Sequence, residues 1–538
     1  MNHKTLTNAH KNRYLKAKEK VELILEGSDR SFALYKKEYE SELRKIKKTE
    51  VVSPEKVFEG LALSEVVLVG DFHAEAQSIR SFLRICRSLP KNSIVLALEC
   101  LSTDMQRYID LYLNGEMSEN KFLHHIKWSE KWGFPFKLYR PLFRWAIDNK
   151  IPIFGVNFES VGLKKRDYKM AQFIYKLKSK FPEKQILMQV GDYHLAQSHL
   201  PLQIKKIKKN IKLSVVFQSP DDVYFKWSQK HRNIESIDFL KIGPNKWCVF
   251  SVLPWIKWEN YLINLEQVLD VDAESFDFES DDVDLLDYLQ QYVEFLGEVF
   301  NFEMNISDFE VIQSKSDFLK KIRKLNVPVK KTIVTKIEGE QVVFIPEIKV
   351  GYAAKSSANH LGQLAAYYFL NSRGILTETL LVGKDHFLQN IWVEMLVYFL
   401  SKLSNPKRKT ATLFDVRSYL KEEHYADHGK EVLNIALEQK LNEMRFVDKH
   451  QKNIIKSSSF LKKYRSNRSL FLASQILGRM LGEKVYFAFV KKMVNGKDLE
   501  RFLFQVDLLS ESFPVKYYES IETIDSWPLT FKSKFDQF

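Results

Sequence analysis

Two short motifs in the sequence place an Asp and a His directly after an apolar run. The first reads VVLVGDFH and contains Asp71 and His73, and the second reads ILMQVGDYH and contains Asp192 and His194. Imidazole titrates near neutral pH and binds transition metals, and a neighbouring carboxylate can orient it or share a metal ion. The motifs therefore predict either a metal site or a general base with its orienting partner.

The apolar runs before these motifs have the composition of buried strands in a parallel sheet. Each run is β-branched and aliphatic and stops at a glycine, Gly70 in the first motif and Gly191 in the second. Two further apolar runs are followed by Glu99 and by Asn157. Ligands of open α/β sheets bind beyond the carboxyl ends of the strands, so we expect these polar side chains at one edge of a sheet.

Length and composition indicate a packed protein of two or three domains. The 538 residues exceed one ordinary core, and 45% hydrophobic with 13% aromatic residues excludes global disorder. A net charge of +14 permits binding to a polyanion, although the lysines are interspersed with acidic residues, which favours a solvated basic surface. No nucleic-acid motif accompanies the Lys-rich runs, so no specific nucleic-acid partner is expected.

Cysteine usage and hydropathy predict a cytoplasmic protein. Cys86, Cys100 and Cys248 have no paired spacing, so neither a disulfide framework nor a Cys-based zinc site is expected. The N-terminus shows no secretory signal and no cysteine for lipidation, and no apolar stretch reaches the roughly 20 residues that span a bilayer. The sequence allows a homodimer.

Apolar periodicity divides the chain into four predicted segments. We predict an α/β fold, with a layered, mostly parallel sheet and flanking helices, followed by an α-rich C-terminal region. Strands are predicted at residues 332–336 and 341–345, as a hairpin, and at residues 223–227. The segments are a charged helical leader (1–50), the α/β domain (51–268), an acidic linker with a helix and the β-hairpin (269–350), and a mainly helical C-terminal domain (351–538).

A second pair of histidines lies in the C-terminal half. His424 and His428 are one helical turn apart, and this spacing can chelate a metal on one helix face. The sequence fixes no third ligand, and an exposed polar face is the alternative interpretation.

Taken in order, the motifs of the α/β segment resemble those of the ChaN-like proteins in the Tiki/TraB/erythromycin-esterase-like superfamily. The resemblance rests on both Gly-x-x-His motifs, Glu99, the segment WSEKWGF with Tyr139 after it, and Asn157. It covers about residues 61–266, which is under half of the chain.

The resemblance implies an α/β domain with a ligand site at the two Gly-x-x-His strand ends. His73, Glu99 and His194 would form this site, as catalytic groups or metal ligands, and Tyr139 and Asn157 would line it. ChaN-like members are implicated in haem binding and iron uptake, whereas the wider superfamily includes metal-dependent proteases and esterases.

A haem site needs an axial ligand and an apolar slot. Tyr193, Tyr139 and Tyr108 are candidate phenolate ligands, and Asp71 and Asp192 would lie beside the cofactor. The expected partner is accordingly haem or another small molecule.

Three functions remain open from the sequence. The first is a protein that binds haem or a divalent metal ion at the edge formed by His73, Glu99 and His194. The second is a hydrolase in which a metal-bound or His-activated water attacks an ester or amide, with Glu99 as the base. The third is a non-catalytic interaction protein.

Overall fold

The computed structural model divides the chain into two compact units. It describes residues 3–25, 30–73, 75–158, 161–229, 237–269, 285–304, 306, 308–339, 341–421, 427–449 and 458–527. One unit, the α/β unit, is Tyr14–Phe278, and the other, the helical unit, is Met1–Arg13 with Glu279–Phe538.

An eight-stranded sheet forms the centre of the α/β unit. Its strands are β1 (Glu50–Val51), β2 (Val66–Asp71), β3 (Ile94–Ser102), β4 (Ile153–Asn157), β5 (Gln185–Gly191), β6 (Leu213–Gln218), β7 (Phe239–Gly243) and β8 (Lys246–Val249). They lie in the order β1-β7-β8-β6-β2-β5-β3-β4. Neighbours from β8 to β4 are parallel, whereas β1 and β7 join the edge as antiparallel strands. The predicted mostly parallel sheet is confirmed.

The two motif strands, β2 and β5, are direct neighbours in this sheet. Every residue of β2 is buried, as expected for a β-branched strand covered on both faces. Gly70 pairs with Val190 and Asp71 pairs with Gly191, so the two motifs are offset by one residue. Strand β3 pairs with the other side of β5, and Glu99 therefore reaches the same edge.

Helices cover both faces of the sheet. The first twelve helices of the chain are α1 (His3–Ile24), α2 (Arg30–Arg44), α3 (Pro54–Ala62), α4 (Ala76–Arg87), α5 (Gln106–Leu113), α6 (Glu119–His125), α7 (Trp128–Lys131), α8 (Arg140–Asp148), α9 (Leu163–Lys180), α10 (Leu200–Ile207), α11 (Asp221–Ser228) and α12 (Pro254–Leu269). Helix α4 packs against α8, and α9 packs against α10. Parallel crossovers are right-handed, and those through α9 and α10 run across the sheet in the opposite direction to that through α4, so the two pairs lie on opposite faces.

Most of the helical unit is α-helix, which confirms the predicted α-rich C-terminal region. A small sheet in the order β10-β11-β9 is built from β9 (Glu310–Ile312), β10 (Val342–Ile345) and β11 (Val350–Ala353). No helix within the described ranges is long and apolar enough for a bilayer crossing. The helices are α13 (Leu285–Phe300), α14 (Lys315–Lys321), α15 (Val327–Gly339), α16 (Ala358–Ser372), α17 (Phe387–Ser404), α18 (Leu413–Leu420), α19 (Asp427–Lys449), α20 (Asn467–Val490), α21 (Gly496–Phe504) and α22 (Phe513–Asp525).

The strand predicted at residues 332–336 is wrong, because this segment belongs to α15. Its β-branched residues favour a strand by propensity, but the buried ones recur every three or four residues on one helix face, as Val329, Thr332, Ile333 and Ile337. Packing of that apolar face decides the structure.

The second half of the predicted hairpin does form a strand, β10, but its antiparallel partner is β11. The strand predicted at residues 223–227 is also wrong, since these residues lie in α11. Asp221 and Asp222 in the first turn, after Pro220, favour a helix start at this point.

Leucine truncations test where the core of the α/β unit lies. Leu187 in β5 has 0% of its surface exposed, and Leu63 after α3 has 74% exposed. We expect Leu187→Ala to lower the free energy of unfolding by about 2–5 kcal/mol, because it leaves a cavity in the central sheet. Leu63→Ala should change it by less than about 0.5 kcal/mol in the same urea titration. Equal losses would contradict the placement of β5 at the centre.

Candidate functional site

A row of buried polar and charged side chains, called the buried charge chain below, lies along the edge where β3 and β5 end. His194 Nδ1 lies 2.5 Å from Asp167 Oδ1, and His194 Nε2 lies 3.4 Å from Glu99 Oε1. The other oxygen of Glu99 accepts a hydrogen bond of 2.6 Å from the backbone N–H of Gly191. At the far end of the buried charge chain, the Tyr35 hydroxyl donates to Asp167 Oδ2 at 3.0 Å.

The charged groups of the buried charge chain stabilise one another. Burial alone would lower the pKa of His194, but the charge of Glu99 and the hydrogen bond to Asp167 outweigh it and raise the pKa to about 10. Burial alone would raise the pKa of Glu99, but the charge of His194 outweighs it and lowers the pKa to about 2. At neutral pH His194 is therefore an imidazolium. Its two ring nitrogens lie next to the carboxyl groups of Asp167 and Glu99.

His73 makes a separate pair with Asp71. Its Nδ1 lies 2.9 Å from Asp71 Oδ2, so this nitrogen carries the proton and donates to the carboxylate. The other oxygen, Asp71 Oδ1, accepts hydrogen bonds from Ser78 Oγ at 2.7 Å and from Gln189 Nε2 at 3.2 Å. These contacts fix the carboxylate, which in turn fixes the tautomer and ring orientation of His73.

Aromatic rings and a glycine set the surroundings of His73. The Trp132 ring packs edge-on against the imidazole at 4.7 Å between centroids. A Cβ on Gly191 would lie 3.5 Å from His73 Nε2 and 3.3 Å from Glu99 Oε2. The missing side chain lets both groups approach the end of β5, so the structure brings His73, Glu99 and His194 together around Gly191.

Asp192 is the fourth buried acidic side chain at this edge, after Glu99, Asp167 and Asp71. Its Oδ1 lies so close to Gly70 that a Cβ there would overlap it, and this oxygen has no hydrogen-bond partner in the described part of the chain. Burial raises the pKa of Asp192 to about 7. The carboxyl is consequently a protonated or proton-sharing group near neutral pH.

A cavity of about 860 Å³ opens beyond these strand ends. It is large enough for a drug-sized or cofactor-sized ligand. Helix α2 forms one wall, where Phe32 and Tyr39 pack edge-on against Tyr193 at 5.3 and 5.4 Å. The lining includes Asp71, His73, Glu99, Asp192, Tyr193 and His194 from the predicted set, and Tyr35, Tyr39, Phe72, Trp258 and Tyr261 besides.

Two predicted site residues lie outside the lining of this cavity. Tyr139 is only 1% exposed and accepts a hydrogen bond from Trp132 Nε1 in the core between α7 and α8. Asn157 ends the edge strand β4 and lines a much smaller cavity of about 10 Å³ with Cys100. Tyr108, a further candidate ligand, stacks on His125.

Sequence reasoning missed Tyr35 and Asp167. Tyr35 lies on a helix that precedes the sheet, and no local pattern connects it to a site 132 residues further along the chain. Asp167 did carry a signal, because it is the only acidic residue in the otherwise basic helix α9. A buried acid in such a helix indicates a buried partner.

The metal ligands predicted from the sequence, His73, Glu99 and His194, stay a prediction. Across the described ranges, no three His, Cys, Asp or Glu side chains are grouped to hold a metal ion. Both ring nitrogens of His194 lie next to carboxylates, Nδ1 next to Asp167 and Nε2 next to Glu99. His424 and the side chain of His428 lie outside the described residues.

Fold and site together define an α/β domain with a large cavity beyond the parallel strand ends. Residues 57–165 match the family described as "Haem-binding uptake, Tiki superfamily, ChaN", so the chain contains a ChaN-like domain. The matched segment includes the first Gly-x-x-His motif and Glu99, and the second motif lies beyond it.

One solved structure is similar over part of the chain. It is described as "Cofacial heme binding to ChaN of Campylobacter jejuni", and the alignment covers 31% of this chain and 86% of that chain at 19% identity and a TM-score of 0.25. No curated protein matches the chain.

Histidine truncations test the buried charge chain. His194→Ala leaves Glu99 and Asp167 buried without their shared counter-charge, so we expect the free energy of unfolding to fall by about 3–5 kcal/mol. The exposed His124 supplies the control, and His124→Ala should change stability by less than about 0.5 kcal/mol. Equal unfolding midpoints for the two variants would show that His194 carries no structural charge.

The raised pKa of Asp192 predicts a pH-dependent stability. Between the ordinary value of 3.8 and about 7, the folded chain retains a proton that the unfolded chain has lost. Stability therefore falls as pH rises from about 4 to about 7 and levels off above it. Asp192→Asn removes this charge. Its stability should equal that of the wild type near pH 4 and exceed it by roughly 1–3 kcal/mol near pH 8, measured by urea unfolding. The exposed Asp148→Asn should show no such divergence.

Proposed function

We propose that the α/β unit is a haem-binding domain in which haem would occupy the 860 Å³ cavity and His73 would hold its iron. The observation that carries this proposal is the pairing of His73 with Asp71 at the cavity wall. Because Nδ1 donates to the carboxylate, Nε2 is the nitrogen that carries the lone pair when the ring is neutral and that would bind a metal centre. The name of the matched family, haem-binding uptake, supports the same ligand class.

The cavity walls fit a flat, largely apolar cofactor. Phe72, Trp258 and Tyr261 lie together on one side, with ring centroids 5.3 to 6.3 Å apart. Tyr193, held by aromatic residues of α2, lies on the same cavity lining and is the second candidate ligand. Haem would supply a redox-active iron, while these side chains would exclude water and orient the ring.

The geometry favours haem over the other ligands and activities that the sequence allowed. A divalent ion held by His73, Glu99 and His194 would need a neutral His194, but that ring is locked between two carboxylates. A hydrolase with Glu99 as general base would need a raised pKa, but the pKa of Glu99 is lowered to about 2, which leaves a weak base.

Hemin titration of the full chain tests the proposal. We expect wild-type protein to develop a Soret band with one-site saturation. His73→Ala should weaken binding at least about tenfold, because the nitrogen that would hold the iron is lost. His124→Ala is the matched control and should titrate like the wild type, since this histidine is exposed and lies outside the cavity lining.

Tyr193→Phe separates the two candidate ligands. A shifted Soret band in this variant, with an unchanged band in His73→Ala, would assign the iron to the phenolate instead. If neither variant alters the titration, haem does not bind at this cavity.

A further inference from the structure

The net positive charge of the chain is concentrated in one part of the α/β unit. Residues 161–212 contain thirteen Lys and Arg but only three Asp and Glu, in a chain whose total net charge is +14. Two of the three acids, Asp167 and Asp192, are buried in the site described above. Surface charge in this segment is therefore almost purely positive.

Helices α9 and α10, which lie on one face of the sheet, carry most of these lysines, and the segment between α10 and β6 carries Lys209 and Lys212. The two helices pack against each other, and the lysines in question are exposed. In the part of the chain that the structure describes, none of them forms a salt bridge, in contrast to Lys208, which pairs with Glu65 at 2.8 Å. This set, the basic face, consists of Lys164, Lys165, Lys176, Lys205, Lys206, Lys209 and Lys212.

Exposed apolar groups lie among these charges. Tyr168 and Tyr175 are each 48% exposed on α9, and their spacing of seven residues places them on the same side of that helix. Leu202 is exposed on α10. Tyrosine has an apolar ring with a polar tip, and lysine extends an apolar stem to a charged end, so both suit the boundary between lipid and water.

We propose that the basic face docks the α/β unit onto an anionic membrane surface. Clustered lysines on helices attract acidic lipid headgroups through point charges and need no shaped pocket. Nucleic-acid recognition favours the planar fork of arginine, but the basic face has none, and the one arginine of the segment, Arg166, lines the ligand cavity.

The position of the basic face relates it to the cavity. Leu163 and Arg166, in the first turn of α9, line the 860 Å³ cavity, and Lys164 and Lys165 lie between them in sequence. Docking through α9 would bring one rim of the cavity near the lipid headgroups. The docking proposal itself does not depend on haem as the ligand.

Vesicle sedimentation of the full chain tests the docking surface. We expect binding to phosphatidylcholine vesicles that contain about one-third phosphatidylserine, weaker binding at higher salt, and no binding to phosphatidylcholine alone. The triple variant Lys176→Glu, Lys205→Glu, Lys206→Glu should lower the partition coefficient at least about 100-fold, because each position loses an attraction and gains a repulsion.

A charge-matched control distinguishes the effect of the basic face on vesicle binding from the effect of the net charge of the whole chain. Lys315, Lys324 and Lys331 are exposed in the helical unit, and their joint replacement by Glu makes the same change in net charge. This control should lower the partition coefficient less than about tenfold. Tyr168→Ser with Tyr175→Ser should weaken binding without changing its salt dependence.

Three results would overturn the proposal. One is no binding to the phosphatidylserine vesicles, and another is an equal loss in both triple variants. The third is tighter binding to duplex DNA than to these vesicles at the same salt concentration, which would assign the basic face to nucleic acid.

Discussion

Glu99 keeps a negative charge in a part of the α/β unit that water scarcely reaches. The imidazolium of His194 stabilises one of its oxygens, and the backbone N–H of Gly191 stabilises the other. A buried carboxylate without such partners would take up a proton or destabilise the fold by several kcal/mol. Since Glu99 lies on β3 and both partners come at the end of β5, the arrangement requires these strands to keep their parallel register. The ligand cavity depends on the same register, because it is built on the same strand ends.

Helix α2 completes this arrangement from outside the segment that matches the ChaN family. Tyr35 bonds to Asp167 and also stacks on His199 at 3.8 Å between ring centroids. The His199 ring bridges the backbone carbonyl of Tyr193 and the carboxylate of Glu38, each at 2.6 Å. One helix therefore orders the acid behind His194 and the backbone beside the cavity. Residues of the predicted helical leader between Tyr14 and Arg44 therefore form part of the cavity wall of the α/β unit.

The parts of the fold and of the site that could be predicted from the sequence are those determined by residues close together in the chain. The central strands were predictable because a β-branched run stopped by glycine has few alternatives, and so were the polar residues after them, such as His73 and Glu99. Tyr139 and Asn157 were assigned to the site only by resemblance. The order of strands leaves Asn157 at the sheet edge, and the Trp132 contact holds Tyr139 in the core.

The errors and omissions have different physical causes. Residues 332–336 combine strand propensity with helical spacing, and only burial decides between them. The contact between Tyr35 and Asp167 joins distant parts of the chain, so no window of sequence contains both. The pairing of both His194 nitrogens with Asp167 and Glu99 was equally hidden, because it joins residues from three separate parts of the chain.

The wall that α2 contributes has a practical consequence for any shortened form of the protein. A fragment trimmed to the family boundary at residue 57 would begin after Tyr35, Tyr39 and Leu43, all of which are buried in the full chain. Removing them would remove apolar side chains that cover the sheet and would expose Asp167 to solvent. Such a fragment would tend to self-associate through the newly exposed apolar surface. Aggregation of the fragment would therefore say little about the full chain.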